Sequence, residues 1–361
     1  MDREKSSWLG LALTGAGLYL AARAIRRYAR WYDLRGKTVL ITGGSRGLGL
    51  VLGREFVSRG ACVAICARDV EELERASSDL VRPGRPVLAL PCDVTRVEEV
   101  GRMVEAVREH FGTIDVLVNN AGVIEVGPVE TMTLADYEEA MNVNLRGPLH
   151  TMLAVIPEMR QRGEGRIVNI TSIGGKIAVP HLTPYTVSKF AFVGLSKAMR
   201  AELAKDGIVV TTVCPGLMRT GSPRNATFKG RHKSEYAWFS ISDSLPLLSV
   251  SAERAARRII SACQRGEAEV IFPVQAKIAA IAETIAPELI ADLLGMINRL
   301  MPAPGGIGSA RMKGSESQSS LSPSWLTSLG DRAARRNNEV TTNGKDHSFT
   351  ILRRDANREI V

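Results

Sequence analysis

The chain has 361 residues, 45% of them hydrophobic and 24% charged, enough to bury one sizeable α/β core with extensions. Its net charge of +9 belongs to the ends: residues 1–35 carry seven basic and three acidic groups, residues 305–361 carry nine and six, and the middle is near +2. A near-neutral body argues against nucleic-acid binding, and the five cysteines (Cys62, Cys66, Cys92, Cys214, Cys263) lack metal-ligand spacing and read as packing residues in a reducing compartment.

Trp8 to Ala22 is apolar apart from Thr14, and Arg23, Arg26, Arg27 and Arg30 follow. A membrane-spanning helix wants about 20 residues, with a lower limit near 17, so this segment is marginal. The leading reading is a single N-terminal anchor through residues 8–22. The arginines on its C-terminal side would keep the rest of the chain in the cytoplasm, making the protein membrane-associated and cytoplasm-facing. Two alternatives stand beside it. One is a cleaved signal peptide, since Ala22-Arg23-Ala24 has the small-x-small form. The other is a helix packed on the domain or lying in the interface. Residues 1–33 are thus an apolar helix and a basic linker.

From Lys37 onward, strand-like runs alternate with helical patterns in the manner of βαβ units. The strand candidates are 38–42, 61–67, 86–91, 114–118, 166–171, 208–213 and 268–272. Seven strands with crossover helices predict a Rossmann-like, doubly wound parallel sheet with helices on both faces. Ligands in such sheets bind beyond the carboxyl ends of the strands. The first run opens into Thr42-Gly43-Gly44-Ser45-Arg46-Gly47-Leu48-Gly49 and then a helical pattern. Strand, glycine turn and helix is the context in which backbone N–H groups hold a pyrophosphate. The spacing is G-x-x-x-G-x-G, not the common G-x-G-x-x-G. The fourth run ends in Asn119-Asn120-Ala121-Gly122. The fifth ends at Ser172, thirteen residues before Tyr185-Thr186-Val187-Ser188-Lys189.

A tyrosine and a lysine four apart share one helix face. A free tyrosine has a pKa of about 10, and reaching 7 takes roughly 4 kcal/mol. One unit charge about 4 Å away supplies roughly that at an effective dielectric of about 20. The lysine is therefore expected to make the tyrosine a usable acid or base.

Together these pieces resemble the short-chain dehydrogenase/reductase family, and in particular its membrane-associated members. The resemblance rests on T-G-x-x-x-G-x-G at Thr42 to Gly49, N-N-A-G at Asn119 to Gly122, Asn144, Ser172, Y-x-x-x-K, and Pro215-Gly216, over about Leu34 to Pro273. It implies that Tyr185 is the general acid or base, that Lys189 tunes it and holds the nicotinamide ribose, and that Ser172 orients the substrate carbonyl. Asn144 would bend its helix and anchor a water. For the cofactor it implies Thr42, Gly43, Ser45, Arg46, Gly47, Leu48 and Gly49 in the turn, and Asp93 at the adenine. It adds Asn119, Ala121 and Gly122 along the loop, and Pro215, Gly216 and Thr220 at the nicotinamide.

NADP(H) is favoured over NAD(H). Family members that take NAD generally carry an acid where Ala67 stands, whereas here Arg68 follows, and Arg46 lies in the turn; both suit a 2′-phosphate. Asp69, one residue late, is the competing acid. The expected function is an oxidoreductase moving hydride between NADP(H) and a carbonyl or secondary alcohol on an apolar, lipid-like molecule. The alternatives are a catalytically inactive cofactor-sensing scaffold and an NAD-dependent alcohol dehydrogenase. A homo-oligomer is the remaining partner class, and no metal is expected.

Residues 221–250, with Tyr236, Trp238 and Phe239, fall where the family has its substrate lid; these aromatics either meet an apolar substrate or simply pack the lid. The catalytic domain is read as 34–273. Residues 274–303 carry Ile278, Ile281, Ile285, Leu289, Leu293 and Ile297 at helical spacing and predict two amphipathic helices, with packing on the core as the default and covering the active site or touching a bilayer as the alternatives. Residues 304–361, rich in Gly, Ser and mixed charge, read as a disordered tail.

Overall fold

A computed structural model describes residues 31–340, apart from 247, 320, 321, 323, 325 and 326. The proposed anchor at residues 8–22 lies outside the described residues. Among these, no helix is long and apolar enough to cross a membrane.

The seven expected strands are all present as β1 (Thr38–Thr42), β2 (Cys62–Ala67), β3 (Val87–Pro91), β4 (Val116–Asn119), β6 (Gly165–Ile170), β7 (Ile208–Pro215) and β11 (Glu269–Phe272); the two-residue β5 (Glu125–Val126), β8 (Met218–Arg219), β9 (Thr227–Phe228), β10 (Val250–Ser251) and β12 (Met312–Lys313) pair outside their sheet. The seven form one parallel sheet in the order β11-β7-β6-β4-β1-β2-β3. Every residue of β1 is buried, as a strand covered on both faces requires.

Crossover helices α1 (Gly47–Ser58), α2 (Val70–Leu80), α3 (Val97–Phe111), α4 (Leu134–Met141), α5 (Gly147–Arg162), α6 (Thr183–Leu203), α7 (His232–Ser244) and α8 (Ala252–Arg265) follow the strands. One apolar layer joins α1, α2 and α8 to the sheet through Leu52, Phe56, Leu73 and Ile259. The other joins α3, α5 and α6 through Val104, Met152, Val155 and Leu203. The chain runs outward from β1 to β3, then returns to β4 on the other side of β1. That reversal opens a crevice at the carboxyl ends of β1 and β4.

Three expectations need correction. The domain begins slightly before residue 34: Tyr32 is buried, and its backbone N–H donates to Gln264 O at 2.9 Å. The two amphipathic helices form, as α9 (Val274–Ile285) and α10 (Pro287–Arg299), but they do not pack on the core. Ile285 is 76% exposed and Leu289 67%, and no residue of α10 is buried. The physical reason is position: α9 leaves β11, the edge strand, and among the described residues no further layer receives its apolar stripe.

The third correction concerns the tail. In its described residues as far as 340 it is bound to the domain rather than disordered. β12 pairs antiparallel with β9. Arg311 meets the buried Asp136 at 2.6 Å and Glu125 at 2.9 Å. A last helix, α11 (Ser328–Arg336), lies against α7. These are polar anchors, so a reading from apolar content misses them.

Candidate active site

The glycine turn and the loop after β4 clamp each other across the crevice. Thr42 Oγ1 accepts from the backbone N–H of Asn120 at 3.0 Å and of Ala121 at 3.1 Å. Asn120 Nδ2 donates back to Thr42 O at 3.1 Å and Gly43 O at 2.9 Å. The approach is close enough to demand glycine: a Cβ on Gly43 would lie 2.8 Å from Ala121 Cα, and one on Gly49 would lie 2.6 Å from Asn120 Nδ2. Gly43 and Gly47 also hold left-handed φ values of 63° and 56°. Gly47 and the buried Leu48 open α1, so the turn presents a helix N-terminus. A cradle that any Cβ would fill, ending on backbone N–H groups, fits a dinucleotide's phosphates.

Asn119 is placed differently from expectation. It points into the core, where Nδ2 donates to Asn169 Oδ1 at 2.9 Å and Oδ1 accepts from Thr151 at 2.6 Å. It supports the loop from beneath, and Asn120, which the sequence reading did not single out, holds the glycine turn. The only sequence signal was the doubled asparagine: neighbours at a strand end face opposite ways.

On the β2 side of the turn, Ser45 Oγ donates to Glu72 at 3.1 Å, and Arg46 pairs with Glu72 at 2.5 Å. Arg68 stands exposed just beyond β2. Asp69 is occupied as the N-cap of α2, accepting from Glu72 N at 2.9 Å. Asp93 Oδ1 accepts from Thr95 N at 2.9 Å, fixing the turn after β3. On the opposite side, β7 ends at Pro215 and Gly216 N donates to Phe272 O at 2.7 Å. Thr220 is buried, and its Oγ1 accepts from Ser222 N at 3.2 Å.

The catalytic candidates converge beside this crevice. Ser172 follows β6, with Oγ accepting from Gly174 N at 3.0 Å. Tyr185 lies in the first turn of α6, and a Cβ on Gly174 would be 3.3 Å from its ring and 3.4 Å from Ser172 Oγ. One turn on, Lys189 Nζ donates to Ile170 O at 3.2 Å and sits 5.5 Å from the tyrosine ring centre. Gly122 permits the junction, since a Cβ there would be 2.9 Å from Asn144 Oδ1 and 3.6 Å from Lys189 Nζ. Asn144 lies in a widened π turn, Asn142–Arg146, between α4 and α5. Its amide brackets Val123, accepting from N at 3.0 Å and donating to O at 3.1 Å, and also donates to Ser188 Oγ at 3.0 Å.

Burial dominates the electrostatics. It pushes the Tyr185 hydroxyl up, with a hydrogen bond to Ser172 pulling partway back. It pushes the Lys189 ammonium down to about 8. The expected lowering of the tyrosine by the lysine is not what this geometry shows. Desolvation of the buried phenol sets the direction.

The lid aromatics mostly pack one another. Phe228 meets Tyr236 and Phe239 edge to face, with ring centres 5.4 and 5.9 Å apart. Trp238 stays partly exposed and donates to the buried Glu235 at 2.6 Å, and Tyr185 borders this cluster.

A glycine turn at the switch point of a parallel sheet, with serine, tyrosine and lysine gathered beside it, defines a nucleotide-dependent oxidoreductase. The sequence profile of the short chain dehydrogenase family matches residues 37–229, and the chain belongs to that family. Dehydrogenase/reductase SDR family protein 7-like from Anopheles gambiae is 36% identical over 290 residues, which cover 78% of this chain and 89% of that protein. Ketoacyl reductase HetN from Nostoc sp. is 36% identical over 183 residues, 51% of this chain and 64% of its own length. A solved short-chain dehydrogenase from Streptomyces avermitilis superposes with a TM-score of 0.61 at 27% identity, covering 73% of this chain and 98% of that one.

Proposed function

We propose that the protein is an NADP(H)-dependent oxidoreductase that interconverts a carbonyl and a secondary alcohol on an apolar, lipid-like substrate. The observation that carries this reading is the grouping of Ser172, Tyr185 and Lys189 at the carboxyl edge of the sheet beside the glycine cradle. A bound nicotinamide dinucleotide supplies or accepts the hydride. The α1 N-terminus and the turn from Thr42 to Gly49 would hold its phosphates, with Asp93 on the adenine side and Pro215, Gly216 and Thr220 on the nicotinamide side. Ala121 and Gly122 line the loop between.

Tyr185 would protonate the carbonyl oxygen in reduction and take the proton back in oxidation. Ser172 accepts from Gly174 N–H, which leaves its own hydroxyl proton to hold the same oxygen. Lys189 keeps its charge below about pH 8 and, one turn from Tyr185, would hold the nicotinamide ribose. Asn144 positions the strand-end loop against Lys189 rather than touching the reacting atoms.

Preference for NADP(H) is supported by the missing acid at Ala67, by the use of Asp69 as a helix cap, and by the exposed Arg68. Arg46 contributes only after exchanging Glu72 for a phosphate. Kinship with a protein named ketoacyl reductase supports a ketone as the reducible group. The aromatic lid supports an apolar chain beside it. Residues 8–22 would hold the domain on the cytoplasmic face of a membrane.

The test is a panel of ketones and the matching alcohols with NADPH and NADH, following absorbance of the reduced nicotinamide. Tyr185→Phe should lower turnover by at least about 10²-fold, the scale of acid–base catalysis, while cofactor affinity stays near that of the parent. A variant that keeps most of its turnover would sink the role given to Tyr185.

A further inference from the structure

The stretch that follows α11 enters the dinucleotide site. α11 is seated beside the crevice: a Cβ on Gly221 would meet Ala334 Cβ at 2.6 Å, and Arg336 pairs with Glu253 at 2.5 Å. The chain then turns inward at Asn338, whose φ is 57°. The carbonyl of Asn337 accepts from Gly47 N–H at 2.9 Å. Asn338 Nδ2 donates to Ser45 O at 2.8 Å and Glu72 O at 3.0 Å, and its Oδ1 accepts from Arg75 at 2.9 Å. The Glu339 carboxylate, only 4% exposed, lies 3.5 Å from Arg46 and accepts from Asn225. A Cβ on Gly47 would be 2.5 Å from Glu339 Oε1, and Asn337 Nδ2 reaches Thr220 O at 3.4 Å.

Ser45, Arg46, Gly47 and Thr220 are residues already given to the cofactor. What meets them here is a carbonyl and a carboxylate at a helix N-terminus, the same anionic oxygen chemistry that a phosphate brings. We infer that residues 337–339 are an intramolecular occupant of the phosphate end of the dinucleotide site, which NADP(H) must displace in order to bind. This rests on the reading of the glycine turn as the phosphate seat. The segment is tethered through α11, so it competes at a high effective concentration. Observed cofactor affinity is then the intrinsic affinity scaled by the fraction of chains with the segment out. Burial pushes the Glu339 carboxyl up to about 7 against the pull of Arg46 and Asn225. The opposite arrangement, a strap that closes over bound cofactor, makes the opposite prediction for its removal.

Three proteins separate the two: the full chain, a chain ending at Arg336, and the full-length double variant Asn338→Ala/Glu339→Ala. Each is titrated with NADPH by nucleotide fluorescence, with a melting curve to establish folding. Both altered forms should bind about tenfold tighter or better, since an open fraction of about one tenth costs the parent that factor. In the full chain, NADPH should speed hydrogen exchange of amides 337–340, the reverse of the protection an ordinary ligand gives. Equal or weaker binding by the altered forms, or greater protection of 337–340 with NADPH, overturns the inference. If no form binds any nicotinamide dinucleotide, the phosphate-seat reading itself fails and takes this one with it, an outcome distinct from the other two.

Discussion

Two glycines in helices should respond to alanine with opposite signs. Gly194, inside α6, is exposed, and a Cβ there would meet nothing within 4 Å. Gly194→Ala should stabilise by about 0.5–1 kcal/mol, through better helix propensity and a less disordered unfolded chain. For a chain of this size that raises Tm by about 1–2 °C. Gly49, in the first turn of α1, gains the same propensity but has no room. Its Cβ would lie 2.6 Å from Asn120 Nδ2 and 2.9 Å from Gly43 C, and closer still to the Gly43 carbonyl oxygen. The blocking atoms are backbone and a side chain fixed by two hydrogen bonds, so the turn itself must move. Overpacking of this kind costs about 1–3 kcal/mol, a net loss once the propensity gain is deducted. The displaced groups are those that clamp the glycine turn, so NADPH affinity should fall about tenfold, the equivalent of about 1.4 kcal/mol. Thermal unfolding and an NADPH titration on both variants check this. Parent-like binding and melting by Gly49→Ala, or a lowered Tm for Gly194→Ala, would refute the steric account of the cradle.

Arg68→Ala should weaken NADPH binding about tenfold and leave NADH nearly unchanged, as loss of one charge-assisted phosphate contact requires; an equal change for both would remove Arg68 from the cofactor argument. Burial pushes the Asp243 carboxyl up to about 8, while Oδ1 accepts from Met218 N at 3.2 Å next to the Thr220 segment. A carboxyl raised on folding keeps its proton in the folded state and loses it near pH 4 in the unfolded one. Its contribution is therefore present in acid and lost as pH rises toward 8. Asp243→Asn keeps the acceptor without the charge, so its Tm advantage over the parent should widen from pH 5 to pH 8; a constant gap would contradict the burial. The full-length protein should sediment with membranes and resist high-salt extraction, and deletion of residues 1–30 should weaken that association. Recovery of the full chain in the supernatant without detergent would end the anchor reading.

The parallel sheet was legible because buried parallel strands are continuous apolar runs. Val39-Leu40-Ile41 and Ile167-Val168 cannot sit anywhere but inside. The catalytic grouping was legible for a different reason: strand ends and one helical turn fix Ser172, Tyr185 and Lys189 with few alternatives. What stayed hidden depends on facing and burial. Asn119 and Asn120 are identical in type and adjacent, and only the pleat decides that the first enters the core while the second grips the glycine turn. The effect of Lys189 on Tyr185 was argued from charge and spacing, yet the desolvation that governs both groups is a property of the finished fold. The bend at Asn144 was legible only through the family resemblance; composition carries no signal for its π turn, which is set by the tertiary demand that the side chain reach Val123 and Ser188 together.

The two C-terminal extensions invert the usual expectation, and the inversion has one physical source. The stripe of Ile278, Ile281, Ile285 and Leu289 is strongly apolar and exposed, because an apolar face is stabilised only where another surface meets it, and none of the described residues beyond β11 at the sheet edge offers one. The segment around Asn337, Asn338 and Glu339 is polar and is bound, because it meets backbone groups at the start of α1 and in the glycine turn together with the side chains of Arg46, Arg75 and Asn225. Low apolar content shows that a segment cannot build a core of its own. It does not show that the segment lacks partners, and a dinucleotide site is rich in N–H donors and carbonyls that favour charged and amide side chains. The groups that would seat phosphates at the glycine turn are the ones that seat the chain's own asparagines and glutamate, so the proposed competition follows from the chemistry of the site.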